Sequence, residues 1–267
     1  MSITETKLDI RRVHDLPTYE KMVALQRETW GFADVEIAPT HVLHIAEASG
    51  GQVLGAFTPA GELVAFALSF LAWDSKNSKR FLMSHLVAVK PSLQAQSLGF
   101  EIKQAQKRDA LEHGITNVRW TFDPLLTKNG NLNLRKLGAR VYRFLPNEYG
   151  IIKSELYGEV RSDRFEVSWD LESDASIPFP EHSECVLDAI EGQPSINQTL
   201  LRSGEQNLSM TVPLDIVALR QKNPARAREW QDAVAAVSQA LLDGRYRVAT
   251  FRVNGERGQY LFERLRK

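Results

Sequence analysis

The sequence predicts an α+β fold: a mixed, mostly antiparallel sheet flanked by helices, followed by a smaller α+β region. Three observations carry this. Strand-like runs follow one another between residues 52 and 89, separated by short turns, as in a meander. The next apolar run leads through a short loop into a helix and back to a strand, the order of a parallel crossover. From residue 207 strands and helices resume after a stretch of different composition.

Taken in order, "KLDIRRV" is a strand, and "DLPTYEKMVALQRETWG" a helix with Pro17 near its start and Gly31 as its stop. A second, shorter helix covers "PTHVLHIAEASGG". "QVLGAFTPAGELVAFALSFLA" reads as a hairpin turning at Pro59, Ala60 and Gly61. "RFLMSHLVAV" is a strand too continuously apolar to face water on either side. "LGFEIKQAQKRDALEHG" is a helix closed by Gly114, "NVRWTF" turns Val118, Trp120 and Phe122 inward, and "NLNLRKLGA" is a short helix ending at Gly138. Strands "RVYRFL" and "RFEVSWDL" complete this half, the latter with alternating inward and outward residues. The switch to parallel pairing places a ligand crevice beside strand C-termini.

Residues 172–206 hold seven acidic residues, one basic residue and three prolines, which reads as connecting structure with short strands around "CVLDAI". Beyond it come a strand "NLSMTVPL", a short helix "PLDIVALRQ", and a strongly amphipathic helix with Trp230, Val234, Val237 and Leu241 on one stripe. A hairpin around Asn254-Gly255 ends the chain. The expected organisation is a first domain over 1–171, a connecting segment over 172–206 and a C-terminal α+β region over 207–267, with no internal repeat.

Thirty-three Lys and Arg balance thirty-three Asp and Glu, so nothing global points to nucleic acid or anionic lipid. No apolar span approaches the roughly 20 residues of a membrane helix, and the N-terminal "MSITETKLDIRRVHD" lacks a signal-like core; a cytoplasmic protein is expected. A single cysteine, Cys185, excludes an internal disulfide and a cysteine-rich zinc site. His182 lies near it, but Glu181 and Glu184 would raise its thiol pKa. His41, His44 and Glu47 are spread too widely around their helix for a metal site, and no metal is expected. The basic excess after Leu214, eleven Lys or Arg against six Asp or Glu, reads as a solvated helix face.

The passage "VAVKPSLQAQSLGFEIKQAQ" carries the chemistry. A loop running from a strand into a helix N-terminus aims several N–H groups, and the positive end of the helix dipole, at one anion. The alternative is a plain connection, because the loop has one glycine where phosphate cradles often have two or three. Here the chain resembles the GNAT acyltransferase superfamily, whose acyl-CoA loop reads R/Q-x-x-G-x-G/A. Gln94 and Gly99 match that pattern, while Ser97 stands in place of its middle glycine. Val87, Val89 and Pro91, the following helix, "NVRWTF" and "LRKLGARVYRFL" extend the resemblance over roughly residues 7–170.

The resemblance implies an N-acyltransferase that uses an acyl-CoA, acetyl-CoA above all, on a small-molecule amine by direct transfer. A catalytically silent GNAT-like binding or assembly module is the alternative. Coenzyme contacts are implied for Val87, Ala88 and Val89 on the strand, for Gln94, Ala95, Gln96, Ser97, Leu98 and Gly99 in the loop, and for Asn129. A serine forced to positive φ costs about 1 kcal/mol, and the missing arginine about 1 to 2 kcal/mol, together one to two decades in affinity. Lys90, Lys103 or Lys107 could restore part of this as mobile charges. The family's late-helix tyrosine position holds Leu134 here. Tyr149, Asp123 and His85 are the substitute candidates for catalysis, each weighed against a plainer role: packing at a strand end, a turn before Pro124, and a core histidine bonded to backbone. Glu28 and Glu47 read as solvated, and one of Asn129, Asn131 and Asn133 as a helix cap. The C-terminal region is expected to form a homodimer or to cover the acceptor.

Overall fold

The computed structural model describes residues 8–31, 34–94, 97–154, 158–173 and 177–265. The chain divides into two compact units, residues 1–120 with 170–172, and residues 121–169 with 173–267.

The first unit is built on strands β1 (Asp9–Arg12), β2 (Gln52–Phe57), β3 (Leu63–Asp74), β4 (Lys79–Val89) and β5 (Asn117–Phe122), the division between units falling within β5. Their order is sequential; β1 to β4 pair antiparallel and β4 pairs parallel with β5. Helix α1 (Leu16–Trp30) begins where the Asp15 carboxylate accepts the Thr18 N–H at 2.9 Å and stops at Gly31, φ 60°. Helix α2 spans Thr40–Ala48. Together these two helices bury Tyr19, Met22, Leu25, Leu43 and Ala46 against Val53, Phe66, Leu68 and Ala88 on one sheet face. Helix α3 (Leu98–Glu112) covers the other face, with Leu98, Ile102 and Ala105 on Leu54, Ala65 and Ala67. Each large side chain so buried contributes about 1.5 to 3 kcal/mol. Gly114, at φ 69°, ends α3 by donating to the Leu111 carbonyl while Ile115 donates to Ala110.

The second unit opens with α4 (Thr127–Gly130), which runs on as a π-helical turn over Asn131–Lys136. Then come β6 (Arg140–Leu145), the hairpin β7 (Ile151–Ser154) and β8 (Gly158–Arg161), and β9 (Arg164–Asp170). The former connecting stretch holds β10 (Glu184–Ile190), β11 (Gln193–Ile196) and α5 (Leu200–Ser203). Strand β12 (Asn207–Pro213), helices α6 (Ile216–Lys222) and α7 (Pro224–Leu241), and strands β13 (Tyr246–Asn254) and β14 (Arg257–Arg264) follow. Sheet order within the unit is β9-β6-β13-β14-β12-β10-β11. Strand β10 lies parallel to β12, a pairing the sequence reading did not anticipate.

Phe122, Phe144, Phe165, Tyr260 and Phe251 form a chain of edge and tilted ring contacts, with centroids 4.8 to 6.1 Å apart. Gly130 and Gly258 abut it so closely that a Cβ would lie 2.8 Å from the Tyr260 hydroxyl and 2.7 Å from Phe251. The α7 stripe Trp230, Val234, Val237 and Leu241 is buried as its period predicts.

Three expectations are corrected. Strand β4 exposes His85, so one face is not sealed. In β9 the run Arg164 to Val167 is buried on both faces instead of alternating. The late helix starts at Thr127 with no side-chain cap, so none of Asn129, Asn131 and Asn133 caps it; they fall inside a helix that begins earlier than its polarity suggested.

Asp123 ties the second unit together. Its Oδ1 accepts the Leu125 N–H at 2.8 Å, and its Oδ2 accepts from Arg220 at 3.1 Å, with both side chains buried. Breaking this pair is expected to be costly: Asp123→Asn should lose about 3 kcal/mol in urea unfolding, and the double change Asp123→Leu with Arg220→Met should recover part of it.

Candidate functional site

The site begins with one surplus residue. Leu68 faces Leu86 and Ser69 faces Ser84, so His85 has no opposite number and β4 bulges there. The bulge resets the side-chain alternation. Ser84 and Val87 both face α3, whereas His85 stacks on Phe70 of the opposite face at 5.5 Å. His85 is therefore an exposed bulge residue and not the backbone-bonded core histidine the sequence suggested. Part of the ring reaches solvent, but the protein atoms crowded around the rest strip some of its hydration and draw its pKa below the ordinary 6.5, which favours the neutral imidazole.

Pairing between β4 and β5 is confined to Leu82↔Val118 and Met83↔Arg119. Beyond Met83, among the described residues, β4 keeps β3 on one edge and has no strand on the other. Lys90 donates to Val64 at 2.9 Å on the β3 side. By antiparallel alternation Ala88 and Leu86 bond toward β3, and the N–H and C=O of Val87 and Val89 point to the open edge. The Val89 carbonyl accepts there from Gln94 Nε2 at 3.2 Å, and from Thr29 Oγ1 at 3.5 Å.

After β4 a 3₁₀ turn over Pro91–Leu93 leads into the loop. Ala95 and Gln96 lie outside the described residues. Ser97 adopts φ 64°, ψ 1°, the left-handed conformation that glycine takes without strain, and stands at the N-cap of α3 with no side-chain cap. Its carbonyl accepts from Phe100 and Glu101, at 2.9 and 3.1 Å. The N–H groups of Leu98 and Gly99 have no acceptor among the described residues, leaving two donors of a fifteen-residue helix aimed outward. The fit to an anionic, amide-bearing ligand rests on these two features: unpaired donors at a helix start, and an unpaired strand edge leading to it. Gln94 is exposed and turned back on Val89.

Where the edge opens lies a residue the sequence reading placed at the surface. Lys103 is 4% exposed. Its Nζ donates to Ser84 Oγ and to Gln106 Oε1, both at 2.9 Å, and lies 4.0 Å from the centre of the Trp120 ring. Gln106 Nε2 in turn donates to Ser69 Oγ at 2.6 Å. Burial pushes the amine down to about 7 from its ordinary 10.5, and the Trp120 face offsets part of that cost. Lys103 is thus no mobile counter-charge for a phosphate. Lys90 is paired with Glu62 at 2.5 Å. The missed signal was positional: Lys103 sits beside Ile102 and three residues before Gln106, on the buried arc of α3.

The remaining candidates lie elsewhere. Tyr149 is 58% exposed, its hydroxyl 2.9 Å from Thr121 Oγ1 and its ring below Arg164. Both Asp123 oxygens are engaged within the fold. Asn129 is half-buried in α4, and Leu134 is fully buried. Glu28, His41 and His44 are exposed, while Glu47 lies 2.9 Å from His14 Nδ1. Among the described residues no three His, Cys, Asp or Glu side chains gather, and no helix is long and apolar enough to cross a membrane. Burial raises the Cys185 pKa, so its thiol stays protonated at neutral pH.

The Lys103 shift has a stability consequence. Between about pH 7 and 10.5 the unfolded chain holds a proton that the folded chain has released, so stability rises with pH across that window. Below it the full burial penalty stands. Lys103→Met is expected to raise Tm on the order of 5 °C below pH 7, with the gain shrinking to nothing near pH 10.5. Thermal unfolding of both chains across pH measures it.

No family model and no curated protein matches the chain. Solved structures do. A candidate phosphinothricin N-acetyltransferase aligns with TM-score 0.51 and 14% identity, over 62% of this chain and all of its own. A Salmonella typhimurium protein solved with its cofactor acetyl-CoA aligns with TM-score 0.51 and 15% identity, over 65% of this chain and 99% of its own. An N-acetyltransferase from Staphylococcus aureus Mu50 gives 0.51 and 12% identity, over 62% and 99%. Each of these N-acetyltransferase folds is matched along almost its whole length, and this chain shares that fold.

Proposed function

We propose that the chain is an acyl-CoA-dependent N-acyltransferase, with acetyl-CoA as donor and a small-molecule amine as acceptor. One observation carries the reading: the edge of β4 left open past Met83, running directly into the outward N–H groups at the start of α3. That edge can hydrogen-bond an extended amide-bearing arm, and the helix start can hold its diphosphate. The likeness to a protein solved with acetyl-CoA supports the choice of donor.

In this reading Val87 and Val89 bond the pantetheine arm, with Ala88 anchoring the strand from its buried side. Leu98 and Gly99, together with Ala95 and Gln96, donate to the diphosphate, and Ser97 holds the turn. Gln94 swings from Val89 to the ligand. Asn129 serves as a further coenzyme contact. Neutral His85 takes the proton shed by the acceptor ammonium. As the C–N bond forms and the C–S bond breaks, Tyr149 protonates the leaving thiolate and is itself reprotonated, through solvent, by the second proton the acylated nitrogen sheds. Asp123 is assigned the task of keeping the end of β5 in place. The acyltransferase domain is taken as residues 1–171, with the C-terminal region free to form a homodimer, and the chain works in the cytoplasm.

A second reading, a coenzyme-binding module without catalysis, is favoured by Leu134, whose buried side chain holds the place of the family's tyrosine. Thiol release from acetyl-CoA across amino acids, polyamines and aminosugars separates the two. Ser97→Gly is expected to tighten acetyl-CoA binding about tenfold at most by removing left-handed strain, and Gly99→Trp to abolish it. No binding at millimolar acetyl-CoA in calorimetry overturns the transferase.

A further inference from the structure

We propose that Lys103 is a positioning residue of the acyl-CoA site, holding the opening between β4 and β5 through Ser84 and Trp120. The inference rests on the reading of that site given above. The last paired residues are Met83 and Arg119; the next on each strand are Ser84 and Trp120. Lys103 Nζ lies against both, 2.9 Å from Ser84 Oγ and 4.0 Å from the Trp120 ring centre. It occupies the apex, where the two strands part.

A methylene chain would fill that space as well, so the polar end needs an explanation. Gln106 links Lys103 to Ser69 on β3, so three neighbouring strands are bound to α3 at one level. Ser84 also precedes the bulge, and fixing its hydroxyl fixes the register at which Val87 and Val89 meet the open edge. The groups facing the amine are Ser84 from β4, Ser69 by way of Gln106 from β3, Trp120 from β5 and Gln106 from its own helix; none is charged. Asp109, two turns along α3, is spent on Arg12 and Gln52. His85 points to the opposite face. Among the described residues a protonated Lys103 therefore meets no anion, and the apex must hydrate or shift to keep it. The neutral form keeps the geometry.

The test is acetyl-CoA affinity by calorimetry from pH 6 to 8.5 for the parent chain, Lys103→Met and Ser84→Ala. Parent affinity is expected to fall toward tenfold per pH unit below about 7, beyond the change from titration of the coenzyme phosphate. Lys103→Met is expected to fold, to bind at least tenfold more weakly at pH 8, and to keep only the phosphate dependence. Ser84→Ala is expected to weaken binding in the same direction. Two folded variants with the parent's affinity and pH profile overturn the inference while leaving the functional reading intact. Failure of the parent chain to bind acetyl-CoA overturns both.

Discussion

The bulge at His85 is the constraint on which the first unit turns. Adding one residue to β4 opposite the Leu68–Ser69 step reverses the alternation of every side chain that follows. Val87 and Val89 thereby join the face covered by α3, and Ala88 packs beneath α1 and α2. A bulge also bends its strand, and β4 leaves β5 one residue before it. The strand would otherwise have been paired on both edges and offered nothing to a ligand. The open edge of β4 therefore coincides with that insertion.

Holding the arrangement is costly. Ser97 sits at φ 64° between Leu93 and Leu98, both buried with Leu54, Ala65 and Ala67, and such packing is what can hold a strained backbone in place. Along α3 the polar residues Lys103, Gln106 and Asp109 are packed against the sheet, where apolar residues would be cheaper. Arg12 closes the seam by a two-pronged bond to Asp109, and Gln52 bonds both Asp109 and the Gln106 backbone while its own buried Oε1 meets no donor among the described residues. Buried polar groups cost stability unless every partner is met, and they fix one register where apolar packing would accept several.

In the second unit close approach does the equivalent work. Gly130 and Gly258 let backbone meet the rings of Phe251 and Tyr260, and Tyr260 donates to the Pro124 carbonyl at 2.7 Å. That bond and the Asp123–Arg220 pair secure the turn after β5. Asp123, read from the sequence as either a catalytic carboxylate or a turn residue before Pro124, accepts the Leu125 N–H of that turn and also bonds Arg220.

The sequence by itself determined the elements whose signals are local. Pro17 and Gly31 bounded α1, Gly114 ended α3, the Trp230-to-Leu241 stripe named the buried face of α7, and Asn254-Gly255 closed the last hairpin. It also located the loop and its one departure at Ser97, because glycine spacing is written in the chain. It could not decide features that depend on a neighbour. The bulge exists only relative to β3, so His85 read as one more residue of an apolar strand. Arg220 lies 97 residues from Asp123, and Ser84 lies 19 from Lys103; no local pattern joins them. Hydrogen-bond partners and burial at such distances are set when elements pack, and that is where the difference between a surface lysine and a buried one was made.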